Sequence, residues 1–252
     1  MKDILFFPVG TTQACNYASD FLRQYGISLT DHPTPEVTHL LLDVPSFDPK
    51  GNLRDGTSAK AILERIPPSV TVVGGNLTHP VLNGYKCLDL LNDAFYLAQN
   101  ASITAECAVQ AAAPHLATTW SDTPTLIIGW GRIGKCLSLL LHKMGADVTV
   151  AVKKEADLAM VRALQMQSTP IEEIDAAPSK YRLLFNTVPE SIISEEELSR
   201  FQNCVKIELA SKPGLEGSGI VHAKGLPGIY APESSGKLIT STIMRLLKED
   251  LT

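Results

Sequence analysis

Two hydrophobic patterns take turns along the first hundred residues of the chain. Short continuous apolar runs predict buried strands at residues 4–9, 37–44 and 70–73. Stretches whose apolar residues recur with helical spacing predict helices at residues 14–25 and 59–66. Strands that alternate with helices usually pair in parallel, with helices on both faces of the sheet. This part of the chain is therefore predicted to form an α/β domain.

The next segment is predicted to connect two domains. Residues 90–117 favour helix almost throughout, with Ser102 as a point where the helix could be interrupted. The polar, turn-prone residues 118–124 follow and mark a boundary.

A second series of strands and helices begins after this boundary. Residues 125–128 and 147–152 predict strands, and the helix between them has one apolar face, made of Ile133, Cys136, Leu137, Leu140, Leu141 and Met144. Together they form a βαβ unit. Further elements are predicted as a helix at 158–164, strands at 183–188 and 205–210, a short helix opened by a capping box of Ser194 and Glu197, and a helix at 233–251.

The turn inside the βαβ unit carries the clearest chemical motif. Gly129, Gly131 and Gly134 follow the strand with the spacing of a dinucleotide-binding turn. The first glycine permits a tight turn, the second lets a pyrophosphate approach the backbone, and the third lets helix and strand pack closely. The residues between them, Trp130, Arg132 and Ile133, would contribute backbone amides at the helix N-terminus.

The end of the second strand bears on the choice of cofactor. NAD sites usually place an acidic residue there to bind the ribose 2′-hydroxyl, whereas this chain has Lys153 and Lys154, with Glu155 next. Two cations attract a 2′-phosphate, and Arg132 could add to them. The sequence therefore favours NADP, although NAD stays open and the lysines could be ordinary solvated charges.

Two later strand exits are predicted to complete the cofactor site. Ligands of open parallel sheets bind outside the carboxyl ends of the strands. The candidates there are Thr187, Val188, Pro189 and Ser211.

Candidates for substrate contact are less specific. The candidates for substrate binding follow predicted strands and are Ser46, Asn76 and Lys212. The candidate catalytic pair lies on the connecting helix and consists of Thr104 and Glu106. Glu106 has Ala and Cys neighbours, so we expect its carboxylate to be partly buried, which favours an acid–base role. A helix carboxylate paired with a cation is the alternative. His222 and Arg54 are more simply explained as a strand histidine and an exposed loop cation.

Composition excludes several other classes. The net charge is −5, and no Lys/Arg cluster favours nucleic acid. No apolar run approaches a membrane span, and the five cysteines lack metal or disulfide spacing, which predicts reduced thiols in a cytoplasmic protein. The histidines lack metal-ligand spacing and no serine hydrolase elbow is present, so neither metal nor serine chemistry is expected.

With these residues in place, the chain resembles the family of the dipicolinate synthase A subunit. The resemblance covers residues 100–247 and rests on five segments, at 100–106, 129–134, 186–189, 209–214 and 225–232 with Gly236. The segment at 225–232 (Gly-Leu-Pro-Gly-Ile-Tyr-Ala-Pro) is the most specific of these. The chain departs from the family in a shorter amino-terminal domain, in Lys153 and Lys154 where the family has Arg and Ser, and in Lys212 for Arg.

The resemblance implies two α/β domains with parallel sheets: a flavodoxin-like domain at 1–100 with 233–252, and a Rossmann-type dinucleotide-binding domain at 101–232. It also implies an NADP-dependent oxidoreductase that, with a flavoprotein-like B subunit, oxidises a cyclic dicarboxylate to the dipicolinate of endospores. A homo-oligomer is expected. Two alternatives remain, a non-catalytic NADP-binding partner of the flavoprotein and a D-2-hydroxyacid dehydrogenase. The second would need a catalytic His and Arg, for which Lys212 and His222 are weak substitutes.

Overall fold

The chain forms two compact units in a computed structural model that describes residues 4–48, 51–174 and 176–249. Unit 1 is Met1–Asn100 with Pro227–Thr252, and unit 2 is Ala101–Leu226. The strands are β1 (Leu5–Pro8), β2 (Ser28–Leu29), β3 (His39–Leu41), β4 (Thr71–Gly74), β5 (Lys86–Asp89), β6 (Thr125–Ile128), β7 (Val148–Val152), β8 (Gln167–Pro170), β9 (Leu183–Asn186), β10 (Val205–Glu208) and β11 (Ile220–His222). The α-helices are α1 (Gln13–Gln24), α2 (Ala59–Leu63), α3 (Ala94–Ala112), α4 (Arg132–Lys143), α5 (Glu155–Ala163), α6 (Glu195–Ser199), α7 (Leu226–Tyr230) and α8 (Pro232–Glu249).

Unit 1 is built on a parallel sheet with the strand order β2-β1-β3-β4-β5. This is the flavodoxin-like order, in which the chain changes direction across the sheet between β1 and β3. A buried apolar cluster that includes Leu40, Val72 and Leu63 packs on one side of this sheet. The predicted flavodoxin-like fold is confirmed.

The carboxyl-terminal helix packs in unit 1 because small residues let two backbones approach. A Cβ atom on Gly236 of α8 would lie 2.9 Å from the carbonyl oxygen of Ala14 and 2.5 Å from the Cβ of Tyr17, both on α1. The Thr240 hydroxyl donates a hydrogen bond to the Ala18 carbonyl at 3.1 Å. The residues at 250 and 251, with which the predicted helix ends, lie outside the described residues.

Unit 2 is built on a second parallel sheet, with the order β11-β10-β9-β6-β7-β8. Counted from β6, this is the 3-2-1-4-5-6 order of dinucleotide-binding folds, with its switch point between β6 and β9. All four residues of β6 and all four of β9 are buried, as expected for the centre of a parallel sheet. The predicted Rossmann-type fold is confirmed.

Three details differ from the sequence analysis. Helix α3 runs through Ser102 without a break. The short strands β2, β5 and β8 were not predicted, since each has few apolar residues. On α4 the most buried positions are Gly134, Leu137, Ser138 and Leu141, whereas Met144 of the predicted apolar face is 38% exposed.

Candidate functional site

The turn from β6 to α4 has the geometry of an anion-binding glycine turn. Gly129 has a φ of +103°, a conformation that side chains rarely adopt. A Cβ on Gly134 would lie 2.3 Å from the Gly129 carbonyl oxygen, so only glycine lets α4 start this close to β6. The motif therefore has the tight turn and the close packing that the sequence predicts.

Gly131 differs from its two neighbours because it faces open space. A Cβ there would meet no atom within 4 Å, and its φ of −73° is available to any residue. Gly131 is also the N-cap of α4, and it has no side chain to accept a hydrogen bond from the first-turn amides. The turn thus presents helix amides to a space that an anion could fill.

The exit of β9 closes the other side of this turn. The Thr187 hydroxyl donates a hydrogen bond to the Ile128 carbonyl at 2.8 Å, and the Thr187 amide donates to the same oxygen at 3.0 Å. Val188 is half-buried and Pro189 is exposed at the same edge. The structure therefore brings the exit of β9 against the glycine turn, at the switch point where such sheets bind their ligands.

A buried carboxylate organises the neighbouring exits. Glu208 is fully buried at the end of β10. Its oxygens accept hydrogen bonds from the Asn186 side-chain amide at 3.0 Å and from the backbone amides of Ala210, Gly214 and Leu215 at 2.8–2.9 Å. Hydrogen-bond donors of this kind stabilise a buried charge without a cation. Glu208 therefore joins the β9 and β10 exits, a role that the sequence analysis did not assign.

The predicted cations lie at the same end of the sheet. Arg132, Lys153 and Lys154 are all exposed, Arg132 on the first turn of α4 and the lysines just after β7. Lys153 has a partner, since its Nζ lies 3.4 Å from an Oε2 atom of Glu190. Ser211 and Lys212 are exposed just after β10. Unit 2 thus places all the predicted cofactor residues along the carboxyl edge of one sheet.

Unit 1 places two predicted substrate residues at the carboxyl edge of its own sheet. Ser46 is 1% exposed, and its hydroxyl donates to the Asp43 carbonyl at 2.7 Å while accepting from the Gly75 amide at 3.1 Å. Asn76 is exposed, with a φ of +59° and its backbone amide bonded to Asp89. Ser46 therefore connects the β3 and β4 exits, and Asn76 presents its side chain outward.

Asp43 fills the first turn of unit 1. Its carboxylate accepts hydrogen bonds from the amides of Thr11 and Thr12 at 3.0 Å and from the Thr12 hydroxyl at 2.5 Å. A Cβ on Gly10 would lie 2.7 Å from an oxygen of Asp43 and 2.4 Å from the Cys15 sulfur. This turn is therefore packed with side chains of the chain itself.

Comparison with known proteins identifies relatives of this fold. A curated protein, the dipicolinate synthase A subunit of Bacillus subtilis (strain 168), is 28% identical over 159 residues, which are 60% of this chain and 54% of that protein. The solved structure of the dipicolinate synthase A subunit from Bacillus halodurans has a TM-score of 0.85 at 19% identity, covering 97% of this chain and 98% of that one.

The chain is homologous to the A subunit of dipicolinate synthase.

Weaker structural similarity extends to dehydrogenases. D-lactate dehydrogenase from Escherichia coli has a TM-score of 0.61 at 11% identity, covering 98% of this chain and 96% of that one. No protein-family model matches the chain. The two-unit fold is therefore of the oxidoreductase type, and the homologous segment spans about half of the curated A subunit.

The candidate catalytic pair on α3 is not brought together. Thr104 is 8% exposed, whereas Glu106 is exposed, so the expected burial of its carboxylate is wrong. Residues two apart on a helix point in different directions. His222 and Arg54 are also exposed, on β11 and in the loop before α2.

The thiols are unsuited to nucleophilic chemistry near neutral pH. Burial raises the pKa of Cys15 to about 12, with a further contribution from the negative charge of Asp43. Burial also raises the pKa of Cys204 to about 12 and, with the charge of Glu106, that of Cys107 to about 11.

Among residues 4–48, 51–174 and 176–249, no group of three His, Cys, Asp or Glu side chains could hold a metal ion. Within the same ranges, no helix has the length and apolar character to cross a membrane.

Proposed function

We propose that this chain is an NADP-dependent dehydrogenase subunit of the dipicolinate synthase type. It would oxidise a cyclic dihydro- or tetrahydrodipicolinate-like dicarboxylate to dipicolinate. The observation that carries the proposal is the β6–α4 turn, where Gly131 faces open space at a helix N-terminus. Homology to the dipicolinate synthase A subunit supplies the substrate class.

The residues of unit 2 fit a dinucleotide in three places. The first-turn amides of α4 are suited to the pyrophosphate, because the helix N-terminus carries a partial positive charge. Thr187, fixed by its bonds to Ile128, and Pro189 would flank the nicotinamide ribose. Ser211 would contact the cofactor from the β10 exit, which Glu208 holds in place.

NADP is proposed over NAD because the β7 exit is cationic. Lys153 and Lys154 occupy the position where NAD sites usually have a carboxylate. Arg132 lies at the glycine turn, at the same edge of the sheet. Charge-assisted hydrogen bonds from such groups favour a 2′-phosphate over a hydroxyl.

The chain contributes binding and orientation to the reaction. Each oxidation step removes a hydride and a proton from the ring, and NADP, when bound, accepts the hydride. Lys212 is exposed just after β10 and would pair with a carboxylate of the substrate. In unit 1, Asn76 presents its side-chain amide at the sheet edge where open α/β folds bind ligands. Ser46 would position that edge through its bonds to Asp43 and Gly75.

The name of the homologue also suggests a partner. The homologous protein is named as one subunit of a synthase. We therefore propose that this chain acts with a second, flavoprotein-like subunit.

One observation favours a second candidate, a non-catalytic NADP-binding subunit. Thr104 is buried and Glu106 exposed on the same helix, so α3 offers no assembled acid–base pair. In this case the chain would bind NADP and its partner, and the partner would contain the groups that transfer the proton.

Ligand-dependent thermal unfolding tests the cofactor. At a concentration of 100 times its dissociation constant, a ligand stabilises the folded state by about 2.7 kcal/mol. We expect a larger shift in melting temperature with NADP than with NAD. A larger shift with NAD would contradict the proposal that Lys153 and Lys154 bind a 2′-phosphate. No shift with either dinucleotide would contradict the proposed dehydrogenase function.

Oxidation of the cyclic dihydro- or tetrahydrodipicolinate-like dicarboxylate, followed by NADPH absorbance, tests the reaction. The purified chain is assayed with and without the second subunit. Activity of the chain alone supports the dehydrogenase, and activity only with the partner supports a two-subunit enzyme. NADP binding without turnover under either condition supports the non-catalytic subunit.

A further inference from the structure

The ion pair between Lys153 and Glu190 places a carboxylate at the proposed 2′-phosphate site. Lys153 follows β7, whereas Glu190 comes from the exit of β9, on the far side of β6 in the sheet. The Nζ–Oε2 distance is 3.4 Å, and both side chains are more than half exposed, at 57% and 68%. A phosphate that binds Lys153 would therefore meet a negative charge already in place.

The backbone that carries Glu190 is fixed by packing. A Cβ on Gly214 would lie 2.4 Å from the Glu190 carbonyl oxygen and 2.7 Å from that of Val188. The segments that follow β9 and β10 are therefore in close contact. The Gly214 amide donates to Glu208 at 2.8 Å, and Asn186 donates to both the Val188 carbonyl and Glu208. These contacts fix the backbone at Glu190 in a position from which its side chain reaches Lys153.

We propose that Glu190 sets the choice between NADP and NAD by competing with the 2′-phosphate for Lys153. The inference rests on the proposed dinucleotide site. With NADP, the carboxylate both repels the phosphate and occupies the ammonium group that would bind it. With NAD, the 2′-hydroxyl is neutral and can donate a hydrogen bond to a carboxylate. Glu190 therefore reduces the preference for NADP over NAD that Lys153 and Lys154 would otherwise produce.

The expected size of the effect follows from Coulomb's law in water. Two unit charges about 4 Å apart interact by about 1 kcal/mol at high dielectric, which is roughly a fivefold change in affinity. A phosphate monoester carries about −1.5 to −2 charges at pH 7, so the effect on it is larger. We expect Glu190→Gln to tighten binding of the 2′-phosphorylated ligand roughly five- to tenfold.

Binding of nucleotide fragments to the full chain isolates this end of the site. Adenosine 2′,5′-bisphosphate and adenosine 5′-monophosphate differ in the 2′-phosphate, and their dissociation constants are measured by calorimetry at pH 7.5 and low salt. Glu190→Gln should tighten the bisphosphate and leave the monophosphate within about twofold, and high salt should shrink the gain. Full-length NADP and NAD should follow the same ratio.

Glu155→Gln is the matched control. Glu155 is an exposed carboxylate that follows β7, two residues after Lys153, and its removal changes the net charge by the same amount as removal of Glu190. It should alter both affinities by less than about twofold. Lys153→Met, alone and combined with Glu190→Gln, measures how strongly the two side chains are coupled, and the gain from Glu190→Gln should shrink without Lys153.

The outcomes separate this inference from the proposed function. If both fragments bind but Glu190→Gln changes them by the same factor, or Glu155→Gln gives the same gain, the role of Glu190 is wrong and the dinucleotide site stands. If neither fragment and neither dinucleotide binds the wild-type chain, both the inference and the proposed function are wrong. Because Glu190 is exposed, unfolding of the variant without ligand should match wild type.

Discussion

Each unit has a turn between its first strand and the helix that follows that strand, and the two turns differ in what fills them. In unit 1 this turn follows β1, and in unit 2 it follows β6, so each lies at the switch point of its sheet. Both turns contain a glycine in close contact with a neighbouring strand exit, Gly10 against Asp43 and Gly129 against Thr187. A glycine at a switch point is therefore common to both turns and does not by itself mark a ligand site.

The difference lies in the neighbouring strand exit and the helix cap. In unit 1, Asp43 binds the amides of Thr11 and Thr12, and Thr12 caps α1 by accepting from the Cys15 amide. In unit 2, the hydroxyl of Thr187 is bonded to the Ile128 carbonyl, and the cap residue Gly131 has no side chain. Unit 1 thus fills its turn with its own carboxylate, whereas in unit 2 the cap residue of α4 provides no side-chain acceptor, and this is where we propose that the pyrophosphate binds.

The largest expected effect comes from closing the unit 2 turn with Gly134→Val. The new side chain would collide with the Gly129 carbonyl, because even a Cβ there would lie 2.3 Å from that oxygen. Overpacking against backbone should cost about 3 kcal/mol or more of unfolding free energy and abolish dinucleotide binding. Urea unfolding and calorimetric titration with NADP measure the two effects. Wild-type stability in this variant would show that α4 does not depend on close contact with β6.

Gly131→Val should separate binding from folding. Its Cβ would meet no atom within 4 Å and the backbone φ is ordinary, so the expected cost to stability is about 1 kcal/mol, the usual penalty for an apolar residue at a helix N-cap. The added side chain would occupy the space assigned to the pyrophosphate, and affinity for NADP should fall about a hundredfold, equivalent to about 2.7 kcal/mol. Unchanged NADP affinity in a folded Gly131→Val protein would place the pyrophosphate elsewhere.

Asp43→Ala is the corresponding change in unit 1, and it should affect stability but not binding. It leaves the amides of Thr11 and Thr12 without their partner, which should cost about 2 kcal/mol of unfolding free energy. NADP affinity of the folded protein should stay within about twofold of wild type. A marked loss of NADP affinity would mean that the first turn of unit 1 takes part in cofactor binding.

The open turn was predictable from sequence because its requirements are local. Gly129 and Gly134 are needed for a positive φ and a close approach, and the strand and helix around them have clear periods. The small residues of α4 also show the limit of hydrophobic pattern. Gly134 and Ser138 are buried because the helix lies close to the sheet, whereas the more apolar Met144 remains exposed.

The acids could not be assigned from sequence because their roles depend on distant partners. Asp43 binds amides more than thirty residues away in sequence, and Glu208 binds Asn186 on the neighbouring strand. The one available signal was a carboxylate at the end of an apolar strand. The apolar neighbours of Glu106 in sequence predict a buried carboxylate, and this prediction is wrong. Ala105 and Cys107 lie on the buried side of α3, whereas Glu106 lies on its exposed side.

The smallest expected effect tests the charge in the filled turn through Cys15. Burial is the main cause of its pKa of about 12, and the negative charge of Asp43 raises it further. Asp43→Asn should therefore lower that pKa, and alkylation at pH 8 should become a few times faster because the thiolate is the reactive form. In both proteins the rate should rise about tenfold per pH unit below the pKa. Cys87, also in unit 1, is the control, because its pKa is raised by burial and by the charge of Asp89 rather than by Asp43. Equal acceleration at Cys15 and Cys87 would indicate local unfolding of unit 1, and no acceleration at Cys15 would show that Asp43 does not raise the pKa of that thiol.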